Sequence, residues 1–175
     1  ELIILKSLLA IGVPPIDVLN SWAGPSGGIQ DFLIGSGAIE VKTTISPASF
    51  PAKISSLEQL DTSLIQPLFI AGVRLSLGES GMSLPEMANS LRPLLTADGI
   101  AASIYENRLI QAGLLEAHTS GYVRKFSHTN TVFFAVKDGF PRLTHENVPI
   151  EIGRANYELD LALIVEHSTA LVDAV

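Results

Sequence analysis

Two runs of strand-forming residues, Asp31 to Ile34 and Ala38 to Thr44, flank the tripeptide Gly35-Ser36-Gly37. A tight glycine turn between two such runs leaves few options other than a β-hairpin. Side chains alternate along a strand, so Glu40, Lys42 and Thr44 project from one face of the second strand and Ile39, Val41 and Thr43 from the other. The turn length then decides what lies opposite. A two-residue loop at Gly35-Ser36 sets Asp31 opposite Glu40, and one at Ser36-Gly37 sets it opposite Lys42. A plain three-residue loop pairs Asp31 with Val41 and turns it away unless a bulge intervenes.

With a two-residue loop, two carboxylates and one amine converge. Hard divalent cations such as Mg²⁺ take oxygen ligands, usually one or two carboxylates plus water, and Asp31 and Glu40 can supply them. The carbonyl of Val41, between the two functional side chains, is a candidate extra ligand. Lys42 is then free to orient a water and to face developing negative charge. On spacing alone the triplet reads more simply as cross-strand ion partners on a solvated sheet face.

The rest of the chain predicts a layered α/β or α+β arrangement. Glu1 to Ile11 is apolar apart from Glu1, Lys6 and Ser7 and reads as a helix buried on most sides, ended by Gly12 and Pro14-Pro15. The chain starts on Glu1 without Met, as if cut inside that helix, so some N-terminal sequence is expected to be missing. Trp22 to Gly28 has the glycine and proline density of a loop. Ser46 to Ser56 suggests a loop and short strand, and Ser55 or Ser56 before Leu57-Glu58-Gln59-Leu60 suggests an N-capped helix start. Leu64 to Leu77 reads as a long buried strand. Ser83-Leu84-Pro85-Glu86 opens a helix with a capping box, running to about Leu95, and a second helix is expected from Ala97 to Ala112, ending near Gly113. Tyr122 to Val136 predicts one or two strands, with Phe140 to Thr144 and Asn156 to Leu159 as added edge strands.

With 175 residues, 47% of them hydrophobic, one well-buried domain covering 1–175 is expected. No apolar stretch approaches the ~20 residues of a membrane span. The absence of cysteine removes disulfides, thiolate zinc sites and cysteine nucleophiles, and fits a soluble protein of a reducing cytoplasm. His118, His128, His145 and His167 are dispersed without zinc-ligand spacing, and no nucleophile-elbow or phosphate-loop motif occurs. A net charge of −7 with only 11 basic residues argues against broad, nonspecific coating of nucleic acid.

The ordered set Trp22-x-Gly24-Pro25, Asp31-Phe32, Ile39-Glu40-Val41-Lys42-Thr43-Thr44, Ile54-Ser55-Ser56-Leu57-Glu58-Gln59-Leu60 and Phe140-Pro141-Arg142-Leu143-Thr144 resembles the PD-(D/E)XK nuclease superfamily, specifically a bacterial branch known by that motif. Gln30 stands where the superfamily pattern has proline. The resemblance spans nearly the whole chain and implies a central mixed β-sheet flanked by helices, as in restriction endonucleases. It further implies a DNA endonuclease using Mg²⁺, with Mn²⁺ as a substitute, whose partners are DNA and proteins of restriction-modification or phage-defence systems. Asp31, Glu40 and Lys42 would be catalytic, with Asp31, Glu40, Val41 and Glu1 around the metal. Glu1 reads equally as a favourable acid at a helix N-terminus. Gln59 would support the site or position phosphate, although a surface helix position is the simpler expectation. Arg124, Lys125 and Arg142, with His128, Lys137, Tyr122 and Phe126 near them in sequence, form a candidate DNA-backbone surface, though a solvated strand face explains any one of them as well. An acidic nuclease of this kind is expected to bind DNA weakly and with marked salt sensitivity. The alternative is a noncatalytic interaction subunit of a defence complex that keeps the nuclease fold.

Overall fold

The computed structural model describes residues 1–175. Helices α1 (Leu2–Ala10) and α2 (Pro15–Ser21) lead through a short 3₁₀ turn at Gly24–Ser26 into the hairpin of β1 (Phe32–Ile34) and β2 (Gly37–Thr44). Then come β3 (Pro51–Ile54), the long β4 (Leu68–Met82), α3 (Leu84–Leu95), α4 (Gly99–Gln111), β5 (Phe126–Val136), β6 (Tyr157–Asp160) and β7 (Ser168–Thr169). Five strands form one sheet in the order β1-β2-β4-β5-β7, and β3 pairs with β6 in a separate ribbon. Only β2 and β4 run parallel; β1/β2, β4/β5 and β5/β7 are antiparallel, so the main sheet is mixed.

Strand alternation builds two cores. Phe32, Ile39, Phe69, Ala71, Val73 and Phe133 face the helices, where Ile4, Leu5, Leu8, Leu91 and Tyr105 complete a cluster of 20 buried residues. Ala38, Leu68, Ile70, Phe134 and Val136 face the other way, against Phe50, Ala52, Ile54 and Leu161, in a cluster of 12. All four helices therefore cover one face of the sheet, and the β3–β6 ribbon with its following 3₁₀ turn covers the other. The fully buried Tyr105 hydroxyl is satisfied by the Ala88 carbonyl at 2.9 Å, which ties α4 to α3. No helix is long and apolar enough to cross a membrane.

The hairpin adopts one of the two loops anticipated. Phe32 pairs with Ile39 and Ile34 with Gly37, leaving Gly35-Ser36 as the turn. Gly35 has φ +57° and Ser36 has no positive φ, the combination expected when glycine takes the first place of a II′-type turn. Gly37 is required for a different reason: a Cβ there would overlap Pro67.

Four elements differ from the sequence reading. Residues 55–66 form turns instead of the helix expected after Ser55 or Ser56. Leu57 and Leu60 are both buried, and the Ser55 N–H is taken by the Gln59 side chain, so the Leu-x-x-Leu spacing anchors a turn. The long strand starts at Leu68, after Pro67, with Leu64 exposed, and continues to Met82, where a register shift pairs both Leu77 and Met82 with Phe126. Phe140 to Thr144 is not a strand: side chains hold it, with Tyr157 Oη accepting from the Leu143 N–H and Asn147 Nδ2 donating to the Arg142 carbonyl. The sequence reading also gives no place to α2, which opens on Pro15 after Gly12, at φ +92°, has ended α1.

Candidate active site

The hairpin opens at its base. Continuing its register would set Asp31 level with Glu40 and Gln30 opposite Val41, but the chain leaves the ladder just before Phe32. The Asp31 carbonyl instead accepts from the N–H groups of Ala23 and Gly24. Its carboxylate Oδ2 then takes the hydrogen bond that the ladder no longer supplies, accepting from Val41 N at 2.7 Å. In a strand the N–H and C=O of one residue point to the same edge, so the Val41 carbonyl is turned to this gap as well.

Glu40 is 4% exposed, on the face of the sheet away from the helices. Its Oε1 is occupied twice: the Lys42 ammonium lies 2.7 Å away and Gln59 Nε2 donates at 2.8 Å. Gln59 Oε1 also accepts from Lys42 Nζ at 3.2 Å. Lys42 has three donors, and the third is left for whatever enters. Glu1 approaches from the start of α1, its Oε2 accepting from Trp22 Nε1 at 2.5 Å. Glu1 and Asp31 both crowd Gly24: a Cβ there would overlap Glu1 Oε2 and stand 2.8 Å from Asp31 Oδ1. A side chain at this position would push the two carboxylates aside.

Each of the three acids thus has one oxygen held by a donor of the protein and one that accepts no hydrogen bond: Asp31 Oδ1, Glu40 Oε2 and Glu1 Oε1. Neither Asp31 Oδ1 nor Glu40 Oε2 is sealed from solvent. The electrostatics match. Burial first, and the charge of Glu1 second, push the Asp31 carboxyl up to about 6, against the Val41 N–H. Burial first, and the charge of Asp31 second, push Glu40 up to about 7, against the pull of Lys42. Both groups hold protons more tightly than ordinary carboxylates, chiefly because they are buried and secondly because a neighbouring carboxylate faces each. The three acids do not close into a ready-made shell of three side-chain ligands, but a Mg²⁺-type ion asks for only one or two carboxylates with waters in the remaining positions. On that test the residues present fit a hard divalent cation.

Among the residues the sequence singled out, Asp31, Glu40, Lys42, the Val41 backbone, Glu1 and Gln59 are brought together. The basic candidates are not. Glu40 is level with Ile70, and Ile70 with Phe134, whereas Arg124 and Lys125 precede the far end of β5, roughly 25 Å of strand away. Arg124 packs over the Phe126 ring at 5.2 Å, and Lys125 lies 3.7 Å from Glu86. Arg142 donates to Thr62 Oγ1 at 2.8 Å, and its Nη1 is sealed from solvent without a partner, so it braces the turn that carries Gln59 and does not reach outward. A cleft of about 750 Å³ on the helix side of the sheet is lined by Glu1, Trp22 and Thr43 and also by Arg124 and His128, but includes none of Asp31, Glu40 and Lys42. The sequence reading gave no role to Gln30, whose buried side chain donates to the Gln59 carbonyl at 3.4 Å. Only its place immediately before Asp31 pointed to it.

A mixed sheet that brings an acid at the base of one strand together with a Glu-x-Lys on the next defines a core of the PD-(D/E)XK type. Residues 1–162 match the model of a family described as "Putative PD-(D/E)XK family member, (DUF4420)", and the chain belongs to that family. Neither a curated protein nor a solved structure matches it.

Proposed function

We propose that this chain is a DNA endonuclease that hydrolyses phosphodiester bonds with Mg²⁺, or Mn²⁺ in its place, in the service of restriction-modification or phage defence. The observation that carries this reading is the set of unengaged oxygens on Asp31, Glu40 and Glu1 around the Val41 edge, with the Lys42 ammonium beside them. Asp31 Oδ1, Glu40 Oε2 and the Val41 carbonyl would hold the ion, with Glu1 completing the set. When bound, the ion supplies Lewis acidity to a phosphate oxygen and makes a coordinated water more acidic. Lys42 directs its remaining donor at the attacking water and at the charge that builds on the phosphate, and its grip on Glu40 fixes where that donor points. Asp31 is anchored on the Val41 N–H through its other oxygen, which leaves Oδ1 for the ion. DNA contacts must be local, because a net charge of −7 gives no broad attraction to phosphate.

Cleavage of plasmid and linear DNA at low salt, with Mg²⁺ or Mn²⁺, tests this. The wild type is expected to cut, and Asp31→Ala and Lys42→Ala to lose at least about 100-fold in rate, in the range for removing one transition-state donor. Activity that survives both substitutions would sink the mechanism. The acidic charge favours a second reading, a noncatalytic subunit of a defence complex that retains the fold; in that case Mn²⁺ titration should find no ion bound at Asp31 and Glu40.

A further inference from the structure

A side-chain amide has a donor end and an acceptor end, and its partners decide which faces which. At Gln59 they leave one solution. The Ser55 N–H, at 2.9 Å, and the Lys42 ammonium, at 3.2 Å, can only donate, so the amide oxygen faces both. The nitrogen then faces Glu40 Oε1, at 2.8 Å. The backbone around it is fixed independently. Gln30 holds the Gln59 carbonyl, Leu57 and Leu60 are buried on either side, and Glu58 and Thr62 are tied to His145 and Arg142 at 2.8 Å each.

Resting on the reading of this site as a metal-dependent hydrolytic centre, we infer that Gln59 is a positioning residue. It parks the Lys42 ammonium on one oxygen of Glu40 and keeps the other oxygen clear for the cation. The need for it follows from competition. Lys42 is itself a cation, on a flexible stem with rotatable donors, and it sits 2.7 Å from a carboxylate whose second oxygen the metal would use. Untethered, the ammonium is drawn to Glu40 Oε2 or Asp31 Oδ1, where it excludes the ion. Gln59 prevents this from both ends: its oxygen gives Lys42 a second acceptor on the far side, and its N–H holds Oε1 in place.

The test compares wild type, Gln59→Met and Gln59→Glu in two measurements, Mn²⁺ binding to the metal-free protein by calorimetry and DNA cleavage kinetics. Methionine keeps the side-chain length with neither bond. It is expected to weaken Mn²⁺ binding about 10-fold or more and to lower kcat by about 10- to 100-fold, the range for groups that orient metal ligands. KM for DNA should stay within about twofold and the melting temperature within a few degrees, a split that loss of structure alone would not produce. Glutamate keeps the bonds from Ser55 and Lys42; assayed at pH 9, where it is ionised, it offers Glu40 Oε1 a repelling oxygen in place of a donor, so it is expected to lose kcat to a similar extent there. Wild-type Mn²⁺ affinity in Gln59→Met, or wild-type kcat in Gln59→Glu at that pH, overturns the inference. A wild type that binds Mn²⁺ yet cuts no DNA counts against the hydrolytic reading alone, and Gln59 is then judged on Mn²⁺ affinity. A wild type that takes up no Mn²⁺ overturns both.

Discussion

Asp31 substitutes a carboxylate for a strand, and the substitution has an energetic signature. Its pKa is raised to about 6, so the folded protein holds that proton more tightly than the unfolded chain, whose Asp titrates near 3.9. Stability is therefore unaffected by this group below about pH 4, falls as pH rises through the window up to about 6, and stays lowered above it. At roughly 1.4 kcal/mol per pKa unit, the penalty at neutral pH is on the order of 3 kcal/mol. Asp31→Asn keeps an oxygen for the Val41 N–H while removing the charge. In metal-free buffer it should melt higher than wild type at pH 8, by on the order of 5 °C, and with no advantage at pH 4. Saturating Mg²⁺ should reduce or reverse the pH 8 advantage, because the wild type gains more from binding. Scanning calorimetry at the two pH values, with and without the ion, checks the sign. At this scale the sequence was informative in part: a two-residue period puts Glu40 and Lys42 on one face, but three turn lengths were open for Asp31, whose carboxylate reaches the site from outside the ladder by accepting from Val41 N. Gln59 could be named from its place after the motif strands but not positioned, because its contact with Glu40 crosses 19 residues of turn and ribbon. The spread of Arg124, Lys125 and Arg142 away from the site had no local signal at all.

Among the elements, α3 has its start written most plainly. Glu86 N donates to Ser83 Oγ at 3.4 Å and Ser83 N donates to Glu86 Oε2 at 2.7 Å, the reciprocal pair anticipated from Ser-x-x-Glu. Ser83→Ala should cost about 1 kcal/mol, seen as a lower urea midpoint with an unchanged m-value. DNA cleavage should be unaltered, since α3 packs on the face of the sheet opposite Glu40. The same vocabulary misled at Ser55-Ser56, where serine, a following glutamate and Leu-x-x-Leu spacing imitate a helix start. What decides between helix and turn there is not local: Gln59 is spent on Lys42, Glu40 and Ser55, and Pro67 ends the segment before a helix could repay its nucleation. The seven residues of α2 failed in the opposite sense, being too short for a 3.6-residue period to show.

For the whole molecule, the mixed sheet and its helices followed from the succession of elements and the family likeness, while strand order did not. That β2 lies beside β4, and that all the helices share one face, depends on which apolar faces find each other once the chain collapses. The outcome leaves the hairpin at the edge of the sheet, with a three-residue outer strand that ends at Phe32 and leaves Asp31 outside the ladder. This placement makes the active site a matter of counting. Because side chains alternate, the register that pairs Phe32 with Ile39 is what brings the end of the outer strand, and Asp31 beyond it, level with Glu40. A single glycine inserted between Gly35 and Ser36 should silence cleavage although every proposed catalytic residue remains in the chain, and a pair inserted there should bring part of it back, as plasmid-nicking rates would show. Two proteins carrying the same catalytic letters can thus differ in whether they have the site, according to the arithmetic of the turn between them.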